Sequence, residues 1–136
     1  MTVKDVQDDI ISITNQVAPT SLYFGEFFKP QELEILPNTL PLIKIDFTGT
    51  RSKTPAEHTI THNLYIAHIS YSKNENTRSN THKEIYELIG QIDKLLLMSG
   101  QHTLIKSQKI FDNVSKGGYL TIFSLQIETT SLKDFS

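Results

Sequence analysis

Apolar residues recur at helical spacing in two stretches of this 136-residue chain and alternate with polar ones through most of the remainder. Val3, Val6, Ile10, Ile13 and Val17 step by three and four, the stripe of a helix that lays one face on a core. Thr2 can cap it, with Asp5 three residues on, and Ala18-Pro19 stops it because a residue before proline avoids helical geometry. Residues 22–28, with Tyr23, Phe24, Phe27 and Phe28, predict a strand in which Gly25 marks a bulge or a close backbone approach. Pro30 and Pro37-Asn38 predict an extended connection over 29–40, and Pro41 opens a strand over 42–47. Ile43, Ile45 and Phe47 share one face of that strand, and Leu42, Lys44 and Asp46 the other.

Residues 48–55 are polar and predict a loop, and 58–71 then predict a strand of about 45 Å, long enough to project beyond its sheet. The span 72–80 carries no apolar side chain after Ser72 and is expected to be exposed and mobile. Thr81-His82-Lys83-Glu84 reads as a capping box opening a helix whose apolar stripe is Ile85, Leu88, Ile89, Ile92, Leu95 and Leu96, and Gly100 ends it. Residues 104–114 and 119–130 predict a hairpin turning on Ser115-Lys116-Gly117-Gly118, with 131–136 a frayed tail. The sum is an α+β fold: a mostly antiparallel sheet of about five strands with two helices packed on it. One domain is expected, since a chain of this length buries roughly two-thirds of its unfolded surface in a single core.

Charge and composition narrow the function by exclusion. Thirteen basic against fifteen acidic residues leave a net charge of −2, so no global field recruits nucleic acid or an anionic membrane, and DNA contact is expected to be indirect at most. The chain has no cysteine, which removes disulfides, thiolate metal sites and cysteine nucleophiles and fits folding in a reducing compartment. No apolar run approaches the ~20 residues of a membrane-spanning helix, and Met1-Thr2-Val3-Lys4-Asp5 leads into charged amphipathic sequence, so a soluble protein made inside the cell is expected.

Catalytic and metal chemistry find little support. His58, His62 and His68 share strand parity, yet positions four apart on a strand are separated by about 13 Å, too far for one zinc with bonds of ~2.1 Å. His82 and His102 have no carboxylate at a telling spacing, and Asp8-Asp9, Glu32 and Glu34 read as solvated charge. No nucleophile elbow or phosphate loop occurs, and Lys116-Gly117-Gly118 precedes a strand and not a helix. No catalytic residue, metal or cofactor is expected. Two surface features remain: Gly49, Arg51 and Lys53 put two cations in one loop, and Tyr23, Phe24, Phe27 and Phe28 crowd around Gly25 so that strand alternation cannot hide them all. Lys73 and Arg78 are further candidate contacts in the polar span.

The order of elements, with the run Leu36-Pro37-Asn38-Thr39-Leu40-Pro41-Leu42-Ile43-Lys44-Ile45-Asp46-Phe47-Thr48-Gly49-Thr50-Arg51, resembles the tail-terminator-like proteins of long-tailed phages, particularly the Mu-like minor tail protein family. The similarity continues through the long strand, the polar gap, the helix near Thr81 and the closing hairpin; the aromatic segment from Tyr23 to Phe28 departs from the family pattern. The resemblance implies a subunit of a ring, commonly hexameric, that caps the growing tail tube, stops its polymerisation and joins tail to head. The implied partners are other copies of the chain, the tail-tube protein and the head-neck connector protein, with DNA at most passing through the lumen and no membrane. The implied location is the virion tail, and the host cytoplasm during assembly. The alternative is a stand-alone module that binds a small ligand or peptide between the second helix and the sheet, with Gly90 allowing close approach.

Overall fold

The computed structural model describes residues 1–33, 41–71 and 74–133. Helix α1 (Val3–Thr14) opens on a true capping box: Thr2 Oγ1 accepts from the Asp5 amide at 3.1 Å, and the Thr2 amide donates to Asp5 Oδ2 at 3.0 Å. It ends three residues short of Val17: Asn15 caps it, its amide still donating to the Ile11 carbonyl at 2.8 Å while its side-chain oxygen accepts from the Thr20 amide at 2.9 Å. That bond, with Thr14 Oγ1 2.8 Å from Thr20 Oγ1, ties the end of α1 to strand β1 (Thr20–Leu22).

The strand expected over 22–28 is corrected here. Only Leu22 of that span is in β1; Gly25 takes φ 89, a left-handed conformation that breaks an extended run, and Glu26–Phe28 forms a 3-10 turn. Glu26 Oε1 accepts from the Phe24 amide at 2.7 Å and the Phe28 amide donates to the Gly25 carbonyl at 3.1 Å, so the turn is held by its own residues. The expected connection starts with a second 3-10 turn, Pro30–Glu32, and its 34–40 part lies outside the described residues.

Strand β2 (Leu42–Ser52) runs well past Phe47. A bulge between Phe47 and Gly49 lets pairing continue, with Thr50 opposite Ile60 and Ser52 opposite His58, so the polar loop expected over 48–55 is mostly strand and its turn is confined to 53–56. Its composition misleads because this end of β2 is largely exposed, with no apolar alternation to report it. Strand β3 (Glu57–Ser70) pairs with β2 on one side and, from Glu57 opposite Leu132 to Ser70 opposite Tyr119, with β5 (Gly118–Leu132) on the other. The expected projection is therefore absent: the long strand is internal and matched along its length by β5.

Helix α2 (Glu75–Ser99) begins six residues before the expected capping box. Asn74 is its cap, accepting from the Asn76 amide at 2.8 Å, while Thr81 is buried mid-helix and donates to the Thr77 carbonyl at 3.1 Å. The apolar stripe reported only the turns that lie over the core; residues 75–80, expected to be mobile, form helix, and 72–73 lie outside the described residues. Gly100 ends α2 at φ 73, as its position after the stripe predicts. Strand β4 (His102–Ser115) and β5 form the closing hairpin, with Ser115 opposite Gly118. β5 stays paired through Leu132, and the Lys133 amide donates to the Ala56 carbonyl at 2.8 Å.

The sheet order is β1-β2-β3-β5-β4, antiparallel except that β1 runs parallel to β2. The chain is thus α+β, a mostly antiparallel five-stranded sheet with two helices on one face. Ile43, Ile45, Ile60, Leu64, Ile66, Leu125 and Ile127 face α1 and α2, meeting Val6, Ile10, Ile85, Ile92 and Leu96. The opposite parity, Leu42, Tyr65, Ala67, Leu120 and Ile122, forms a second cluster with Tyr23, Phe27, Leu33 and Phe111.

Gly118 sits where no side chain fits: a Cβ there would lie 2.7 Å from the Ser70 carbonyl oxygen, and its φ is 144. Gly118→Ala is expected to lower unfolding free energy by roughly 2 to 4 kcal/mol in urea titration, against about 1 kcal/mol for Gly100→Ala, where the added methyl meets open space. Equal losses at the two sites would contradict the close approach at the hairpin.

Candidate interaction surfaces

The four crowded aromatics divide into two pairs. With Gly25 left-handed and a 3-10 turn following it, Tyr23 and Phe27 turn inward together, their rings 5.5 Å apart and 4.7 and 5.9 Å from Tyr65. Phe24 and Phe28 turn outward, 81% and 83% exposed. The segment acts as a strap across the helix-free face: it leaves β1, packs over Tyr65 of β3 and Leu120 and Ile122 of β5, and reaches β4 with the Pro30–Glu32 turn. Lys44 Nζ braces its base, donating to Ser21 Oγ at 2.8 Å and lying 3.6 Å from Glu26 Oε2. Beyond the strap the same sheet face is polar, with Asn63, Lys106, Gln108, Ser124 and Gln126 around a shallow depression of about 90 Å³.

The candidate cations are not brought together. Gly49 and Arg51 stand on β2 opposite Thr61 and Thr59, and exposed Lys53 begins the following turn. Arg78 lies in the first turns of α2 at the other end of the sheet, beside Tyr119, which pairs with Ser70; Ser70 is eleven strand steps from Thr59, about 36 Å. Arg78 is also engaged within the chain: Nη2 donates to Tyr119 Oη at 2.6 Å and its guanidinium carbon is 3.8 Å from the Tyr119 ring centroid. Lys73 lies outside the described residues.

Three histidines do have carboxylate partners, which linear spacing could not reveal because each partner arrives from another element. His68 of β3 meets Glu84 of α2, His82 of α2 meets Asp112 of β4 at 3.1 Å, and His102, buried at the start of β4, meets Asp9 of α1 at 2.5 Å. Each pair links a helix to the sheet. Thr129 Oγ1 lies 2.7 Å from His102 Nδ1, so an Asp–His–Thr chain exists, but the His102 side chain is fully enclosed and serves to fasten α1. Burial of Asp112 opposes its ionisation, yet hydrogen bonds from Thr121, His82 and Lys109 outweigh it and hold the carboxyl below its usual range. Among the described residues no three histidine or acidic side chains converge as a metal site.

Two further surfaces escaped the sequence reading. A groove of about 440 Å³ runs between the end of α1 and the last turns of α2, lined by Gln16, Val17, Gln91, Lys94, Leu95 and Met98, with Met98 72% exposed. Gly90 is not the close approach that was expected; the space a Cβ would occupy there is open. At the sheet edge, β4 carries bulges at Ile105 and Ile110, 50% and 44% exposed, beside Lys106 and Lys109. Bulges and lysines of this kind interrupt the hydrogen-bonding edge and discourage indiscriminate strand addition. No protein-family model matches the chain, and no curated protein matches it. Among the described residues no helix is long and apolar enough to cross a membrane.

His62 has the sharpest electrostatic signature. It is fully buried beside the Phe47 ring, and neither ring nitrogen has a partner among the described residues. Burial, with a smaller contribution from His102, pushes the imidazole down from 6.5 to about 4. The folded state therefore holds His62 neutral while the unfolded chain takes up a proton, so its contribution is intact above pH 6.5 and lost as pH falls toward 4. The gap corresponds to ~3 kcal/mol. Asp112 acts in the same direction only below pH 3.8. Urea titrations between neutral pH and pH 4 are expected to show stability declining with acid in the wild type and a markedly flatter profile in His62→Leu; parallel profiles would contradict this account.

Proposed function

We propose that this protein is a structural component of a phage or prophage tail, a tail terminator or closely related tail-completion protein that acts as a ring and not as a catalyst. The observation that carries the reading is the number of large apolar side chains left exposed on separate surfaces: Phe24 and Phe28 on the strap, Leu97 and Met98 on α2, and Ile105, Ile110 and Val114 on β4. Distinct surfaces of this kind suit head-to-tail contacts, which close into a ring when the rotation between neighbours divides a full turn. The resemblance of element order and of the 36–51 run to the Mu-like minor tail proteins supports the same reading.

In this account the mechanism is geometric. The ring, proposed to be hexameric, offers one face to the tail-tube protein and stops polymerisation, and offers the other to the head-neck connector. Arg51 and Lys53, exposed at the β2–β3 turn, are its candidate contacts to the tube or the lumen, where DNA would pass without being specifically bound. The protein would work in the virion tail after assembly in the host cytoplasm. A second reading, a ligand-binding module, draws support from the apolar groove at Val17, Leu95 and Met98.

Light scattering across a roughly hundredfold range of concentration discriminates the two, because self-association follows mass action. A discrete hexamer, present alone or appearing when tail-tube protein is added, is the expected result. A strict monomer indifferent to tube protein contradicts the ring and favours the ligand-binding module.

A further inference from the structure

His62 lies where its ring meets nothing that gives or takes a hydrogen bond. It points to the helix side of β3 with Ile60 and Leu64, fully buried, opposite Phe47 of β2 and Ile127 of β5, and neither nitrogen has a partner among the described residues. The charged groups of the surrounding elements are committed elsewhere. On β3 itself, His58 shares this side, its own Nε2 buried and unpartnered. Lys44 and Asp46 of β2 point to the opposite face, Lys44 bracing the strap, and β5 contributes Leu125, Ile127 and Thr129 here. β4 brings His102, held by Asp9 of α1 at 2.5 Å, and other charges of α1 are used at its surface, Lys4 with Asp8 and Asp5 in the cap. On α2, half-buried Asp93 follows Tyr86 by two turns, on the flank that packs on Phe123, and Glu84 is paired with His68.

A charge on this ring must be hydrated, and an enclosed ion reaches water only when one of the layers around it lifts. The sheet is the costly layer to open, since β3 is paired on both sides. α2 is tied to the sheet by His68–Glu84, His82–Asp112 and Arg78–Tyr119. α1 packs on β2 and β3 and fully buries only Val6, Ile10 and Thr14; its polar ties to the sheet are Asp9–His102 at mid-length and the Thr14 and Asn15 bonds to Thr20 at its end. We propose that α1 is an acid-released latch, in which a proton taken up by His62 lifts α1 off β2 and β3 about its Thr20 tie while the sheet and α2 stay folded. Opening uncovers the helix side of β2 and β3 together with Val6 and Ile10, so acid presents apolar surface that is hidden at neutral pH; the device stands independently of the ring reading. Burial, reinforced by His102, holds the enclosed imidazole at about 4, and water restores it to 6.5 once α1 is lifted. A group whose value rises by that much on opening favours the open form about twentyfold more at pH 5 than at pH 7.

Hydrogen exchange read residue by residue by NMR, at pH 7 and pH 5 and in low urea, tests the latch, each rate being taken relative to an unstructured chain at the same pH. The expected result is an about twentyfold loss of protection across residues 6–14 between pH 7 and pH 5, insensitive to urea, with the paired amides of β3 and β5 at least about tenfold better protected at both. His62→Gln, which cannot take up the proton, should leave α1 equally protected at the two pH values. In the wild type the ring signals of His62 should titrate together with the opening, a readout that needs no variant to fold. Residues 6–14 sharing the protection and the urea dependence of β3 and β5 at pH 5 would mean that α1 leaves only with the whole fold, and would overturn the latch. Equal α1 protection at both pH values in the wild type, a fall that persists in His62→Gln, or His62 ring signals that do not titrate while α1 opens would overturn it as well.

Discussion

The pairing of β3 with β5 supports everything else in this molecule. Both strands are long, and their register holds from Glu57 opposite Leu132 to Ser70 opposite Tyr119 without a break. A continuous antiparallel ladder of that length fixes the parity of every side chain on both strands, and a shift by one residue would exchange the two faces. Even positions of β3 and odd positions of β5 then meet α1 and α2, while the complementary set meets the strap. Both faces of this central pair carry apolar residues, so a helix layer alone would leave Tyr65, Ala67, Leu120 and Ile122 uncovered. The strap is thus a structural necessity before it is a surface.

Much of this was legible because it was written in local chemistry. Thr2 and Asp5 specify a helix start by reciprocal bonds within one turn, Gly100 specifies a helix end by its left-handed backbone, and the Lys116-Gly117 turn specifies the hairpin. What the sequence concealed depends on distant partners. Gly25 looks like a strand bulge until Tyr65 is known to be waiting for Tyr23 and Phe27 on the same side. Thr81 imitates a cap because the turns before it hang beyond the core and carry no apolar stripe. The parallel pairing of β1 with β2 is likewise hidden, because turn residues near strand ends do not announce the direction of a neighbour reached through a longer connection.

The same division applies to the surfaces. The aromatic crowd around Gly25 was visible as an excess that one strand face could not absorb, and the split into an inward and an outward pair is how the fold resolves it. The histidine–carboxylate pairs were invisible, since Asp9 and His102 are brought together only when α1 lies on the sheet beside the start of β4. Their effect is to bind helices to sheet. The large apolar side chains left outside, Phe24 and Phe28 on the strap and Leu97 and Met98 on α2, are the surfaces that the proposed assembly would use.

Hydrogen–deuterium exchange on dilute and concentrated protein separates an assembling protein from a monomer, because any surface that copies bury together loses solvent. The proposed ring requires protection gained on at least two of the surfaces that expose large apolar side chains, the strap around Phe24 and Phe28, the last turns of α2 around Leu97 and Met98, and the β4 edge around Ile105 and Ile110. Exchange that is identical at both concentrations, or protection gained on only one of these surfaces, would contradict it.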